Sequence, residues 1–212
     1  IEKRFIQYVK IWSESDSKAA DNGVFPSTKQ QLDFAKILVN DLKEIGLKNA
    51  RLTKDGYVYA SSEENLTEDD NSVLFLAHMD TVDEVSGKNV KPVIKHENSD
   101  TIICSDGSTL LGADDKAGIC AIFTAVQFIL ENNLNHIPFE IIFSPDEETG
   151  HGMDKVPLDL IKSKYAYTVD GGEEGQLECE CFNAWSCTID FTGKACHTGT
   201  AKEEGMIIGN NE

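Results

Sequence analysis

Three apolar runs in this 212-residue chain stop abruptly at side chains that bind cations. Val73-Leu74-Phe75-Leu76-Ala77 runs into His78-Met79-Asp80, and Phe139-Glu140-Ile141-Ile142-Phe143 leads to Pro145-Asp146-Glu147-Glu148-Thr149-Gly150. Tyr165-Ala166-Tyr167-Thr168-Val169 runs into Asp170-Gly171-Gly172, and a fourth cluster, Gly112-Ala113-Asp114-Asp115-Lys116-Ala117-Gly118, opens a helical pattern. Short runs this apolar are expected as strands buried on both faces of a parallel sheet. In open α/β sheets, ligands gather in the crevice beyond the carboxyl ends of such strands. Three ligand sets just past three strands would therefore meet on one rim. The expected fold is α/β, a mostly parallel sheet flanked by helices, and a metallohydrolase is the leading reading.

The intervening chain supports that class. Residues 2–12 carry Phe5, Ile6, Tyr8, Val9 and Ile11 and read as a helix. Pro26-Ser27-Thr28 opens another, which Ser27 or Thr28 can cap, with Leu32, Ala35, Ile37, Leu38, Leu42 and Ile45 as its stripe and Gly46 as its stop. Arg51–Thr53 and Tyr57–Ala60 flank Asp55-Gly56, a hairpin signal. Residues 61–71 form a polar loop, 84–100 an irregular exposed excursion, and Thr101–Cys104 a short strand. A long helix is predicted from Asp115 to Leu130, and a short one near Leu158–Lys162. Alternating strands and helices argue for βαβ units. After Asp170 the pattern changes: Gln176–Cys181 and Ala184–Phe191 alternate like antiparallel strands. We therefore expect a catalytic, metal-binding domain over 1–182. The start of a small α+β lid or dimerisation domain would follow over 183–212, cut short because about 30 residues rarely close a core.

Composition excludes several alternatives. The formal charge is −18, with 19 Lys and Arg against 37 Asp and Glu. Nucleic acid and anionic membrane surfaces need clustered cations, so neither is an expected partner. No apolar stretch approaches the roughly 18 to 20 residues of a membrane span. Ile1-Glu2-Lys3-Arg4-Phe5 reads as a helix start, not a secretion signal, and the lack of an initiating Met implies that translation starts upstream. The six cysteines show no C-x-x-C pair and read as free thiols, which favours the cytoplasm. Asn65-Leu66-Thr67 fits a glycosylation acceptor by chance. No G-x-S-x-G elbow, phosphate-binding loop, H-E-x-x-H or EF-hand spacing is present.

Each cluster has a bland reading beside the chemical one. His78 and Asp80, two apart on a strand, point the same way, so Asp80 can hold the imidazole while the other ring nitrogen binds a metal. Alone, His78 reads more readily as a strand-end histidine than as a ligand. Asp114 lies between Gly112 and Gly118 at a helix start, where either it or Asp115 can be a cap, and Lys116 is expected in solvent. Glu147 and Glu148 need a bend to act together: one can bind a metal while the other serves as general base. Asp170 by itself is a turn aspartate. His96, His136 and His151 read as surface residues, with His151 a weak candidate beside Glu148. Together the four clusters make coincidence a poor explanation.

Read jointly, H-M-D-T, L-L-G-A-D-D-K-A-G, P-D-E-E-T-G and T-V-D-G-G resemble the peptidase T branch of the di-zinc metallopeptidases. That family also includes aminoacylases and carboxypeptidases. Pro26-Ser27-Thr28, Asp55–Ala60, Ser86–Pro92 and Thr198–Lys202 extend the resemblance over about residues 3 to 202. It implies a catalytic site with two zinc ions. His78 and Asp170 would ligate one and Glu148 the other, with Asp114 between. Asp80 would orient His78, Glu147 would be the general base, and His197 in the lid would help hold the substrate or stabilise the tetrahedral intermediate. The implied activity is release of the N-terminal residue of tripeptides, with a homodimer formed through the lid. A related dipeptidase, aminoacylase or carboxypeptidase, and an inactive metal-binding fragment, are the alternatives. The chain departs from the family in its length and in Thr198, where proline is usual. A further histidine ligand near the family's C-terminus has no counterpart here.

Overall fold

A five-stranded sheet, ordered β1-β2-β6-β3-β7, organises the computed structural model of the chain. It describes residues 1–63, 71–98 and 100–172, and isolated positions between 175 and 193. The strands are β1 Arg51–Leu52, β2 Val58–Ser61, β3 Val73–His78, β6 Phe139–Ser144 and β7 Tyr165–Thr168, while β4 Pro92–Glu97 and β5 Asp100–Ser105 form a separate pair. The helices are α1 Glu2–Tyr8, α2 Ser17–Asp21, α3 Lys29–Glu44 and α4 Ala113–Glu131. By internal contacts the chain divides into Ile1–Glu174 and Gly175–Glu212. All that follows concerns the first unit.

Within the sheet, β3 pairs parallel with both β6 and β7, and β1 and β2 add an antiparallel edge. The sheet is thus mixed, and its parallel part holds the three strands whose ends carry acids. In register, His78 lies opposite Ser144, and Leu76 opposite Thr168. The chain therefore leaves β3, β6 and β7 at the same level. Met79 N–H donates to Ser144 O at 2.9 Å and Val169 N–H to Leu76 O at 2.8 Å, which extends the alignment past the strand ends.

Strand alternation explains the two-sided burial of β6. Phe139, Ile141 and Phe143 join the main core with Phe34, Leu38 and Leu42 of α3 and Ile119, Ile122, Phe123 and Val126 of α4. Ile142 faces the opposite side, with Tyr57, Tyr59 and Leu74. Glu140 shares that face, fully buried, and its carboxylate accepts from Tyr59 Oη at 2.7 Å and Ser163 N–H at 2.6 Å. A fully buried carboxylate is tolerable only when hydrogen-bonded in this way.

Several expectations need correction. The first helix ends at Tyr8, not residue 12. Residues 84–100 are not wholly irregular: β4 pairs antiparallel with β5, and Asn98 takes a left-handed φ of 56° at the turn. The pattern was hidden because β4 is nearly all exposed and lacks alternation. Leu158–Leu160 form turns, not a helix. Strand β7 is exposed along its length, because it borders the sheet among the described residues. Lys116 is buried, not solvated: its Nζ donates to Ile11 O at 2.7 Å and lies 5.3 Å from the Phe34 ring centre. Neither Ser27 nor Thr28 caps α3 with its hydroxyl; Thr28 Oγ1 donates instead to Glu14 O. The glycosylation-like Asn65-Leu66-Thr67 lies outside the described residues, as do Gln176, Glu178, Cys181, Ala184, Ser186 and Phe191 of the two strands expected after Asp170; the other residues of those two segments are not in strands.

Candidate metal centre

His78 ends β3 with 2 % of its surface exposed, and the other acids come to it. Its Nε2 lies 2.8 Å from Asp114 Oδ1, 3.8 Å from Glu147 Oε2 and 3.8 Å from Asp170 Oδ2. Two sets of three ligand atoms, His78 with Glu147 and Asp170, and His78 with Asp114 and Glu148, each fit within 4.8 Å. The structure thus brings together five residues drawn from four clusters. His197 lies outside the described residues.

Four local devices create this convergence. The first is the β3–β6–β7 register. The second is the start of α4, where the Asp114–Asp115 peptide is cis and both residues leave helical geometry. Asp114 turns outward to His78. Asp115 turns inward, 3 % exposed, where Oδ1 accepts from Gly118 N–H at 3.0 Å and Oδ2 from His78 N–H at 3.2 Å. Asp115 therefore caps the regular part of the helix and also pins the end of β3. Third, Gly118 allows α4 to touch the end of β7: a Cβ there would sit 1.9 Å from Val169 O.

The fourth device is Asp80, which is fully buried. Its carboxylate accepts from the N–H groups of both Glu147 and Glu148, at 3.0 and 3.1 Å. It lies 3.5 Å from His78 Nδ1, whereas the carbonyl oxygen of Asp80 is nearer, at 3.1 Å. Sequence pairing suggests only the imidazole contact, yet the tighter work of this carboxylate is to hold the acidic turn. That turn is further tied by Asp146. The Asp146 carboxylate accepts from Ser27 N–H, Ser27 Oγ and Gln31 Nε2. The sequence does not show that Asp146, Ser27 and Gln31 bond to one another. The available signal was Gln31, a polar residue in register with the buried stripe of Phe34, Ala35, Leu38 and Leu42. His151 pairs with Asp154 at 2.7 Å and takes no part in the cluster.

The electrostatics call for positive charge. Burial alone would lower the basicity of His78, but hydrogen bonds to Asp114 and Asp80 and the nearby charges of Asp80 and Asp115 push it up to about 11. Burial pushes Asp115 up to about 8 and Glu148 up to about 7; negative neighbours add to both. Asp170 is raised, first by burial and then by Asp114, whereas the bond to His78 holds Asp114 below its ordinary value. If Nδ1–H donates to the Asp80 carbonyl, Nε2 and Asp114 Oδ1 are two acceptors in close contact. They repel unless a proton or cation lies between them. Imidazole nitrogen with carboxylate oxygens is also a donor set suited to zinc and similar divalent ions. The residues fit a divalent metal.

Comparison with known proteins gives the family. Residues 74–195 match the model of peptidase family M20/M25/M40. The chain belongs to that family. Among curated M20 relatives, peptidase T of Clostridium perfringens is 41% identical over 229 residues, covering 95% of this chain and 55% of its own. Peptidase T of Halothermothrix orenii is 42% identical over 238 residues, covering 98% and 58%. The chain thus spans about half the length of the curated relatives it matches. The crystal structure of aminopeptidase PepT from Bacillus cereus superposes with a TM-score of 0.64 at 27% identity, covering 81% of this chain and 43% of that one. No helix among the described residues is long and apolar enough to cross a membrane.

Proposed function

We propose that this chain supplies the N-terminal part of a metal-dependent aminopeptidase that hydrolyses the N-terminal peptide bond of tripeptides. The observation that carries this reading is the gathering of Asp114, Glu147, Glu148 and Asp170 around one buried imidazole. Membership of the M20 family and the names of the peptidase T relatives support it.

In this reading the site would hold two zinc ions. His78 and Asp170 would bind one, Glu148 the other, and Asp114 would contribute to both. The ions would supply Lewis acidity to polarise the scissile carbonyl. Glu147, exposed beside His78, takes a proton from the attacking water at its carboxylate and returns it to the departing amine. Asp80 keeps the Glu147 and Glu148 backbone in place and steadies the imidazole. His197 would hold the substrate from the lid, in a domain beginning near residue 183, with residues 1–182 as the catalytic part. A dimer through that lid and a cytoplasmic location complete the reading. The free thiols of Cys104 and Cys120 are consistent with a reducing compartment.

The test is a peptide panel offered to the full-length protein. Tripeptides with a free α-amine should be cleaved, N-acylated ones should not, and chelation should abolish turnover until zinc is restored. Preferential cleavage of acylated substrates would move the assignment to an aminoacylase. Turnover that survives exhaustive chelation would end the metal mechanism.

A further inference from the structure

Asp146 stands at the head of the acidic turn with a φ of 54°, a left-handed conformation unusual for a residue other than glycine. Such a conformation persists only where the surroundings enforce it. Here they do so on every polar group of the residue. Its carboxylate, 0 % exposed, accepts from Ser27 N–H at 2.7 Å, from Ser27 Oγ, and from Gln31 Nε2 at 2.7 Å. Its own N–H returns a bond to Gln31 Oε1 at 3.0 Å, and its carbonyl accepts from Thr149 Oγ1 at 2.9 Å and His151 N–H at 3.1 Å. Gln31 is also fully buried, and Ser27 nearly so. This is a closed polar network between the N-terminal end of α3 and the loop after β6.

The bend at Asp146 determines where the next two amides point. Both then reach the Asp80 carboxylate, and the space left for the turn is narrow: a Cβ on Gly152 would lie 2.9 Å from Glu147 Cα. Asp80 fixes the turn after the bend, and Asp146 fixes the bend itself. With one anchor the segment can pivot; with two it cannot.

We propose that Asp146, held by Ser27 and Gln31, is a positioning residue that sets the placement of Glu147 and Glu148 against His78. This rests on the assignment of those two glutamates to the site. The helix α3 thereby helps to build the centre without touching it. Partners behind metal ligands commonly change metal affinity or activity by about tenfold to hundredfold when removed.

The experiment uses the full-length protein with three substitutions: Asp146→Asn, the milder Ser27→Ala, and Glu140→Gln as a control. Glu140, like Asp146, is a buried and multiply bonded carboxylate, but it lies on β6 at the end away from the acidic turn. Two readouts need no peptide: hydrogen exchange at the Glu147 and Glu148 amides of the metal-free protein, and the visible absorption and affinity of bound cobalt(II). Asp146→Asn should speed both amides and alter the cobalt spectrum, with affinity about tenfold to hundredfold weaker. Ser27→Ala should do the same to a smaller degree. Glu140→Gln should lower Tm while leaving amides and spectrum unchanged. Combining Asp146→Asn with Gln31→Glu, which reverses the charge pattern across the same contacts, should recover part of the loss. If Asp146→Asn and Ser27→Ala lower only Tm, as the control does, the proposal fails. Loss of peptide hydrolysis by the unsubstituted protein would instead overturn the functional assignment, and the exchange readout would stand apart from it.

Discussion

Two adjacent-acid pairs flank His78, and the chain uses them in opposite ways. At Asp114–Asp115 the backbone turns so that one carboxylate meets the imidazole and the other is buried, taking amides from Gly118 and His78. At Glu147–Glu148 both amides are tied back to Asp80, and both carboxylates are left to face the cluster. The first pair spends one acid on architecture. The second borrows its architecture from Asp80 and Asp146, leaving both side chains beside the imidazole. A pair of neighbouring acids in a sequence therefore has no fixed meaning; the backbone partners decide.

That contrast can be broken from either side. The largest effect is expected for Glu147→Gln: kcat for tripeptides should fall about 10²- to 10⁴-fold, with bound metal unchanged, as steady-state kinetics and metal analysis would show. Loss of metal along with activity would mean that Glu147 is a ligand instead of a base. Next comes Gly118→Ala. Its Cβ would meet Val169 O at 1.9 Å and Asp115 Oδ1 at 2.3 Å, so α4 must move away from β7. Denaturant unfolding should show a loss of about 1–3 kcal/mol or more, and metal uptake should fall with it. Asp115→Asn should cost about 1–3 kcal/mol, because an amide cannot accept from both Gly118 N–H and His78 N–H. Intact stability in that variant would remove Asp115 from the architectural role.

The protonation states sharpen the comparison further. His78, pushed up to about 11, must lose its proton to bind a metal, and so must Glu148 below about 7. Metal affinity should therefore rise with pH, by about tenfold per unit for each proton displaced, and more steeply below about 7. Titration calorimetry in buffers of different ionisation enthalpy would count those protons. The smallest effect concerns Lys116, which burial lowers from 10.5 to about 8. Between those values the unfolded chain binds the extra proton, so its contribution to stability rises with pH. Subtracting the stability of Lys116→Met from that of the parent should expose this rise, and a flat difference would show that Lys116 is not desolvated.

The parts legible in the sequence were those written in local patterns. Apolar runs gave β3 and β6, Asp55-Gly56 marked the β1–β2 hairpin, and the stripe of Ile119, Ile122, Phe123 and Val126 gave the buried face of α4. Three of the four polar clusters could be expected to meet because parallel register places the ends of β3, β6 and β7 together. What escaped depends on distant partners. Lys116 reads as a surface lysine until Ile11 O and Phe34 close around it. Asp146 reads as a turn residue, and its link to Gln31 spans 115 positions of chain. Strand β5 was legible at Thr101–Cys104, but its partner β4 was missed for a different reason: a nearly all-exposed strand needs no alternation and leaves no periodic signal.

The carboxylate of Asp80 joins two tasks that could have been given to separate groups, steadying the ring of His78 and anchoring the turn that follows β6. A defect at that position would disable both sides of the centre together, so no half-built version survives its loss. Transplanting this centre into another scaffold would have to begin with residue 80, before any of the groups that face the cation.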